Sequence, residues 1–161
     1  MLHIRPMQLS ELDFFLDMHY ESIHIVVNKP SKDELLNAPA IRKYNEGWGR
    51  AGDAALLAEL DGQLVGAVWF RLFNEVNKGY GYVDAETPEL GIAIAPGHRG
   101  HGIGSALMQA VIELARADGY RAISLSVDPA NTHAVQLYHR LGFERCEVAE
   151  GTSWTMKLNL A

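Results

Sequence analysis

A chain of 161 residues, 48% hydrophobic and 21% charged, is long enough to bury a continuous core and too apolar for intrinsic disorder, so one domain over residues 1–161 is expected. The 14 Lys/Arg against 20 Asp/Glu give a net charge of −6 with no basic stripe to hold a phosphodiester backbone, which argues against nucleic acid as a partner. The opening "MLHIRPMQLS" lacks a signal-peptide layout and no apolar run reaches membrane-spanning length, so no membrane partner and a cytoplasmic location are expected.

In chain order, "LHIRPM" predicts a first strand. Ser10 with Asp13 predicts a helix start, running to about Val27 with Leu12, Leu16, His19, Ile23 and Val26 on one face. Ser31 with Glu34 opens a shorter helical stretch that Pro39 kinks or ends. At Ala54 the period changes: "AALLAEL", the turn Asp61–Gly62 and "QLVGAVWFRLF" predict a hairpin. The polar, tyrosine-bearing stretch 74–88 predicts a long loop that lines a site. "ELGIAIAP" is a strand ended by Pro96, and Ile103, Leu107, Val111 and Leu114 give the next helix its apolar spacing.

After Asp118–Gly119 come the strand "RAISLSV", the turn Asp128–Pro129, the helix "NTHAVQLYHRL" with Gly142 at a left-handed C-terminal cap, and the strands "FERCEV" and "SWTMKLNL". Cys146, the single cysteine, sits in an alternating setting that predicts a buried structural thiol. The sum is an α/β (α+β) fold with a mixed, mostly antiparallel central sheet of about seven strands flanked by about four helices.

The segment "HRGHGIGSAL" carries the chemistry, because glycines ahead of a helix expose amides to an anion. Two phosphate-binding patterns fail there. The Walker spacing is met by Gly97 and Gly102, but Ile103 stands where a lysine must reach the phosphates; the dinucleotide fingerprint started at Gly100 or Gly102 ends on Ser105 or Leu107. The pattern R-x-x-G-x-G is complete in Arg99, Gly102 and Gly104. With "IAIAP" before it and "NTHAVQLYHRLGF" after it, this resembles the GNAT superfamily of acyl-CoA-dependent N-acyltransferases, the specific match covering residues 89–144.

The resemblance implies acetyl-CoA as cosubstrate, no metal, and direct acyl transfer to an amine. It implies strand contacts to the pantetheine arm from Ile92, Ala93 and Ile94. Diphosphate contacts would come from Arg99, Gly100, His101, Gly102, Ile103, Gly104 and Ser105. Asn131 would bond the pantetheine, and Tyr138 would place its phenol against the departing sulfur. Plainer readings stand beside these: a connecting glycine turn, Asn131 as an N-cap and Tyr138 as a core tyrosine. A phenol near ~10 is a weaker acid than a thiol near ~8.5, so Tyr138 is better cast as a hydrogen-bond donor to the sulfur than as a full acid.

Many relatives carry a glutamate on the strand written here as "LSV", where this chain has Ser126. Glu89 is the replacement base to test first, against its reading as a strand-edge carboxylate facing water; Asp84 and Glu86 are weaker candidates. Tyr44, Trp48, Tyr80, Tyr82 and Trp154 would build an acceptor pocket or fill a core. The histidines lack metal-ligand spacing. The expected partner is a small-molecule or peptide amine, and the last strands leave room for a homodimer. A non-catalytic acyl-CoA-binding sensor or interaction module remains the alternative to the enzyme, and a nucleotide-binding enzyme of another kind is a third option.

Overall fold

A computed structural model describes residues 1–146 and 153–160. Period-two alternation sends Leu56 and Ala58 to one face of a sheet and Leu57 to the other. The strands are β1 (Leu2–Pro6), β2 (Ala54–Leu60), β3 (Gln63–Arg71), β4 (Glu89–Ile94), β5 (Ala122–Val127), β6 (Glu144–Arg145) and β7 (Trp154–Asn159). They form one mixed sheet in the order β1-β2-β3-β4-β5-β7-β6, antiparallel at every junction except β4–β5. The β2–β3 hairpin closes on Asp61 and Gly62, both at positive φ, which is the turn chemistry of a two-residue loop.

Five helices accompany the sheet among the described residues: α1 (Leu12–Ser22), α2 (Lys32–Asn37), α3 (Pro39–Arg42), α4 (Ile103–Ala117) and α5 (Thr132–Arg140). On one face, Phe15 and Met18 of α1 pack with Leu57, Ala67, Trp69 and Ala93. On the other, Ile103, Leu107, Met108 and Val111 of α4 pack with Val68, Phe70, Ile123 and Leu125. Leu107 is fully buried there, and truncating such a side chain to alanine costs about 2–5 kcal/mol.

Several expectations are corrected. The first helix is entered through a 3-10 turn over Leu9–Glu11, where the Gln8 N–H donates to Glu11 Oε1 at 2.9 Å, so Ser10 and Asp13 form no cap. It ends at Ser22, where Ile23 is extended and opens a stretch in which Ile23, Ile25, Val26 and Val27 are β-branched and weak helix formers. Its buried face is Phe15, Met18 and His19, with Leu12 and Leu16 only half-buried, since the sheet takes the aromatic side of the helix. Within "FERCEV" the strand covers Glu144–Arg145, the half-buried Cys146 adds an N–H bond to Thr155 O at 2.8 Å, and Glu147 and Val148 lie outside the described residues.

Other expectations hold. Ser31 Oγ accepts from the Glu34 N–H at 3.3 Å and Pro39 begins α3. Gly142 adopts φ 101° after α5, where its N–H reaches His139 O at 3.0 Å and the Phe143 N–H reaches Tyr138 O at 3.0 Å.

Candidate active site

The cleft begins where the sheet stops being continuous. β4 and β5 pair at a single register position, Glu89 with Ser124, and then diverge. The Ala95 N–H donates to Val65 O at 2.8 Å, so the alternation of an antiparallel ladder turns Gly91 and Ala93 toward β3. The N–H and C=O groups of Ile92 and Ile94 therefore face the gap. A ligand laid between the strands can complete the ladder that β5 leaves open.

At one end of the gap the chain turns into α4. Gly100 and Gly102 have φ of 83° and 78°, a left-handed backbone that L-residues adopt at a cost, and a Cβ built on Gly102 would meet nothing within 4 Å. The space beside that turn is thus empty of protein. The first bond of the helix runs from the Ala106 N–H to Gly102 O at 3.2 Å, leaving the amides of Ile103, Gly104 and Ser105 without helical partners. Among the described residues, none of the N–H groups from Arg99 to Ser105 donates to a protein acceptor. The positive end of the α4 dipole adds to their pull on an anion. A cavity of about 780 Å³ opens over them, bordered by the cations Lys29, Arg99 and Arg140 against the one carboxylate of Glu21. These groups fit a diphosphate.

At the other end lies a chamber of opposite character, part of a cavity of about 570 Å³ that shares Ile92, Asn131, Ala134 and Tyr138 with the first. Glu89 stands in it with 5% of its surface exposed. The Tyr44 hydroxyl donates to Glu89 Oε2 at 2.7 Å and the Gly81 N–H donates to Oε1 at 3.0 Å. Burial pushes the Glu89 carboxyl up to about 7 against the opposing pull of those two donors. Tyr44, itself buried beside that carboxylate, is held well above the usual phenol range. The loop from 74 to 88 presses on the pair: a Cβ at Gly79 would lie 2.3 Å from Glu89 Oε1 and 2.7 Å from Tyr44 Oη, so only glycine permits this approach.

The segment carrying Tyr44 is fixed from behind. Arg71, buried in β3, binds Asp53 through Nε and Nη2, each at 2.8 Å, and donates to the carbonyls of Lys43 at 3.0 Å and Glu46 at 2.8 Å. His19 borders the same chamber, and burial followed by the Arg71 charge lowers it to about 4, so the ring is neutral near pH 7. Tyr138 borders both cavities, its phenol pushed up to about 12 by burial.

The acetyltransferase (GNAT) family profile matches residues 16–143, four-fifths of the length. The chain belongs to the GNAT acetyltransferase family. Among curated GNAT relatives, the mycothiol acetyltransferase of Pseudarthrobacter chlorophenolicus is 30% identical over 119 residues, covering 74% of this chain and 36% of that protein. The chain thus spans about a third of the length of the first curated relatives it matches. The fold is that of yncA from Salmonella typhimurium, solved with its cofactor acetyl-CoA (TM-score 0.73, 20% identity, covering 100% of this chain and 95% of that one). It is also that of the ribosomal-protein-alanine N-acetyltransferase from Brucella melitensis (TM-score 0.71, 22% identity, covering 98% and 99%).

Within this GNAT cleft the structure gathers most of the residues singled out in the sequence. Ile92, Ala93, Ile94, Arg99, Gly100, Gly102, Gly104, Ser105, Asn131 and Tyr138 border the phosphate-side cavity, and Glu89 joins Tyr138 on the other. The Ile103 side chain points into the core and His101 is exposed away from the cavity lining, so neither side chain reaches the cleft. Arg99 lies beside Glu21 at 3.3 Å, and Asn131 accepts from the Ala134 N–H at 3.4 Å as an N-cap while also facing the cleft.

Asp84 and Glu86 are exposed and border neither cavity. Of the five expected aromatics, Tyr44 and Tyr80 line the chamber that holds Glu89. Trp48 packs on Phe15, Tyr82 lies beside Lys78 and Trp154 lies under Arg145. Sequence reasoning did not single out Trp69, Lys29 or Arg140, nor the place of His19 in the chamber. The one available signal was Gly79–Tyr80–Gly81, which marks a backbone pressed close to something. No cluster of three or more His, Cys, Asp or Glu able to hold a metal occurs among the described residues, and no helix there is long and apolar enough to cross a membrane.

Proposed function

We propose that this chain is a cytoplasmic N-acetyltransferase, one domain over residues 1–161, which moves an acetyl group from acetyl-CoA directly to a primary amine. One observation carries the reading: a buried carboxylate and a buried phenol border one cavity that runs on into a turn of unpartnered amides. The amides from Arg99 to Ser105, with Arg99, Lys29 and Arg140 nearby, hold the diphosphate. Ile92 and Ile94 align the pantetheine arm through their backbone, and Asn131 borders its path. Bound acetyl-CoA supplies the acyl group as a thioester.

Glu89 takes the proton of the incoming amine. With a carboxyl near 7 rather than at its ordinary value of 4.5, that transfer is easier by roughly 3 kcal/mol. Its burial in β4 supports this role over that of a strand-edge carboxylate facing water. Tyr138 donates a hydrogen bond to the sulfur as the C–S bond breaks. Its phenol near 12 is too weak an acid to surrender the proton to a thiolate of pKa ~8.5, which would be uphill by about 5 kcal/mol, so the proton stays on oxygen.

The test is CoA release, followed with a thiol reagent over a panel of primary amines and paired with calorimetry of acetyl-CoA. Amine-dependent release supports the reading. Tight acetyl-CoA binding with no release by any amine would favour a binding module instead.

A further inference from the structure

Resting on the acyl-transfer reading above, we infer that the acceptor chamber takes a small primary amine on an apolar, uncharged body, an arylalkylamine or alkylamine, in preference to a polyamine, an acidic amine or a peptide lysine. Charge gives the first constraint. Glu89 lies buried within the chamber, Asp128 borders it already paired with His24, and no Lys or Arg borders it among the described residues. His19, neutral near pH 7, adds no positive charge. An ammonium is drawn in and a carboxylate-bearing acceptor is repelled.

The walls give the second. Leu35, Ala38 and Ile41 of the α2–α3 segment and Trp69 of β3 form an apolar side with few hydrogen-bond partners for a polar body. Tyr44 and Tyr80, which also line the chamber, stack with centroids 6.4 Å apart and planes at 9°, and His19 lies 5.9 Å from Tyr44. Aromatic faces hold an ammonium by its charge and a hydrocarbon by its area.

The remaining carboxylate is already engaged, since Asp128 Oδ2 lies 3.1 Å from His24 Nδ1 across the cleft, so the far cation of a polyamine meets no free anion. Finally, Ile25, Val26 and Val27 are 37%, 80% and 72% exposed, and Ile25 borders both cavities. This exposed apolar stretch adjoins the chamber through Ile25 and offers further area to a hydrocarbon body.

Two readouts test the inference on the full chain. Steady-state CoA release with 2-phenylethylamine and isopentylamine should exceed that with spermidine, glutamate or an N-acetyl-lysine amide by roughly tenfold or more in kcat/KM, the discrimination a shaped apolar pocket gives. Calorimetry of 2-phenylethylamine against protein saturated with CoA should show binding that Ile41→Leu keeps. Ile41→Lys, which places a like charge in the wall, should weaken it by roughly tenfold with acetyl-CoA affinity unchanged.

Equal or faster turnover of spermidine, glutamate or the lysine amide overturns the substrate class and leaves acyl transfer standing. Failure of 2-phenylethylamine to bind the CoA-loaded protein, or full binding to the Ile41→Lys variant, overturns the class as well. Loss of acetyl-CoA binding itself in the native chain would instead overturn the transfer reading and the inference with it.

Discussion

The two ends of the cleft are built from different materials for opposite charges. The end at the glycine turn offers backbone: amides made accessible by left-handed glycines, a helix terminus, and three cations around one carboxylate. The end at Glu89 offers side chains: a carboxylate held by a phenol and a glycine amide, ringed by aromatics and lacking Lys or Arg among the described residues. Backbone sites depend on local conformation, while the side-chain site is assembled by α1, α3, β3, β4 and the loop 74–88 arriving together. The same division sets how each end fails: an extra Cβ on the glycine turn strains its own backbone, and a change in the chamber disturbs several elements at once.

Single substitutions should affect the two ends separately. The largest effect is expected from Glu89→Gln, which should lower kcat/KM by roughly 10²–10⁴, the span of a general base, with acetyl-CoA affinity intact by calorimetry. A fall in cofactor affinity of the same size would merge the two ends into one. Gly102→Val should do the reverse: backbone strain and a filled diphosphate space should weaken acetyl-CoA binding by about 100-fold, or about 2.7 kcal/mol, and leave amine binding to the chamber in place.

Tyr138→Phe, at the junction, should reduce kcat by roughly tenfold or more with acetyl-CoA affinity unchanged, as loss of one donor to a developing charge does. The smallest effect concerns pH. The rate should rise as Glu89 loses its proton, near pH 7, and Tyr44→Phe removes a donor that holds that carboxyl down. The acidic limb of the kcat/KM profile should therefore move to higher pH in the variant. A limb that stays in place, or moves lower, would show that Tyr44 does not tune the base.

How legible each end was in the sequence follows from the same contrast. The glycine turn, Asn131 and Tyr138 lie within one stretch of chain, where spacing alone sets which groups share a helix start or a helix face. Glu89 could be picked by type and position, but its burial depends on Tyr44, 45 residues earlier, folding over it. Trp69 reads as one more apolar strand residue, and Arg71 as the strand's polar end. Their roles come from Phe15 packing on one and Asp53 neutralising the other. His19 was expected on the core face of the first helix and is buried there, yet that same burial also makes it a wall of the chamber. The helix boundary at Ser22 escaped notice because the apolar spacing continues through Val26 after the backbone has become extended.

The central claim is that diphosphate and amine are held by separate ends of one cleft, and amide NMR on the ¹⁵N-labelled chain tests it most directly. Titration with CoA should shift the backbone resonances of Gly100 through Ser105, and subsequent addition of 2-phenylethylamine should shift the Trp69 indole and the Gly81 amide while leaving the glycine turn where CoA placed it. A CoA titration that leaves Gly102, Ile103 and Gly104 unmoved, with saturation seen elsewhere in the chain, would contradict it.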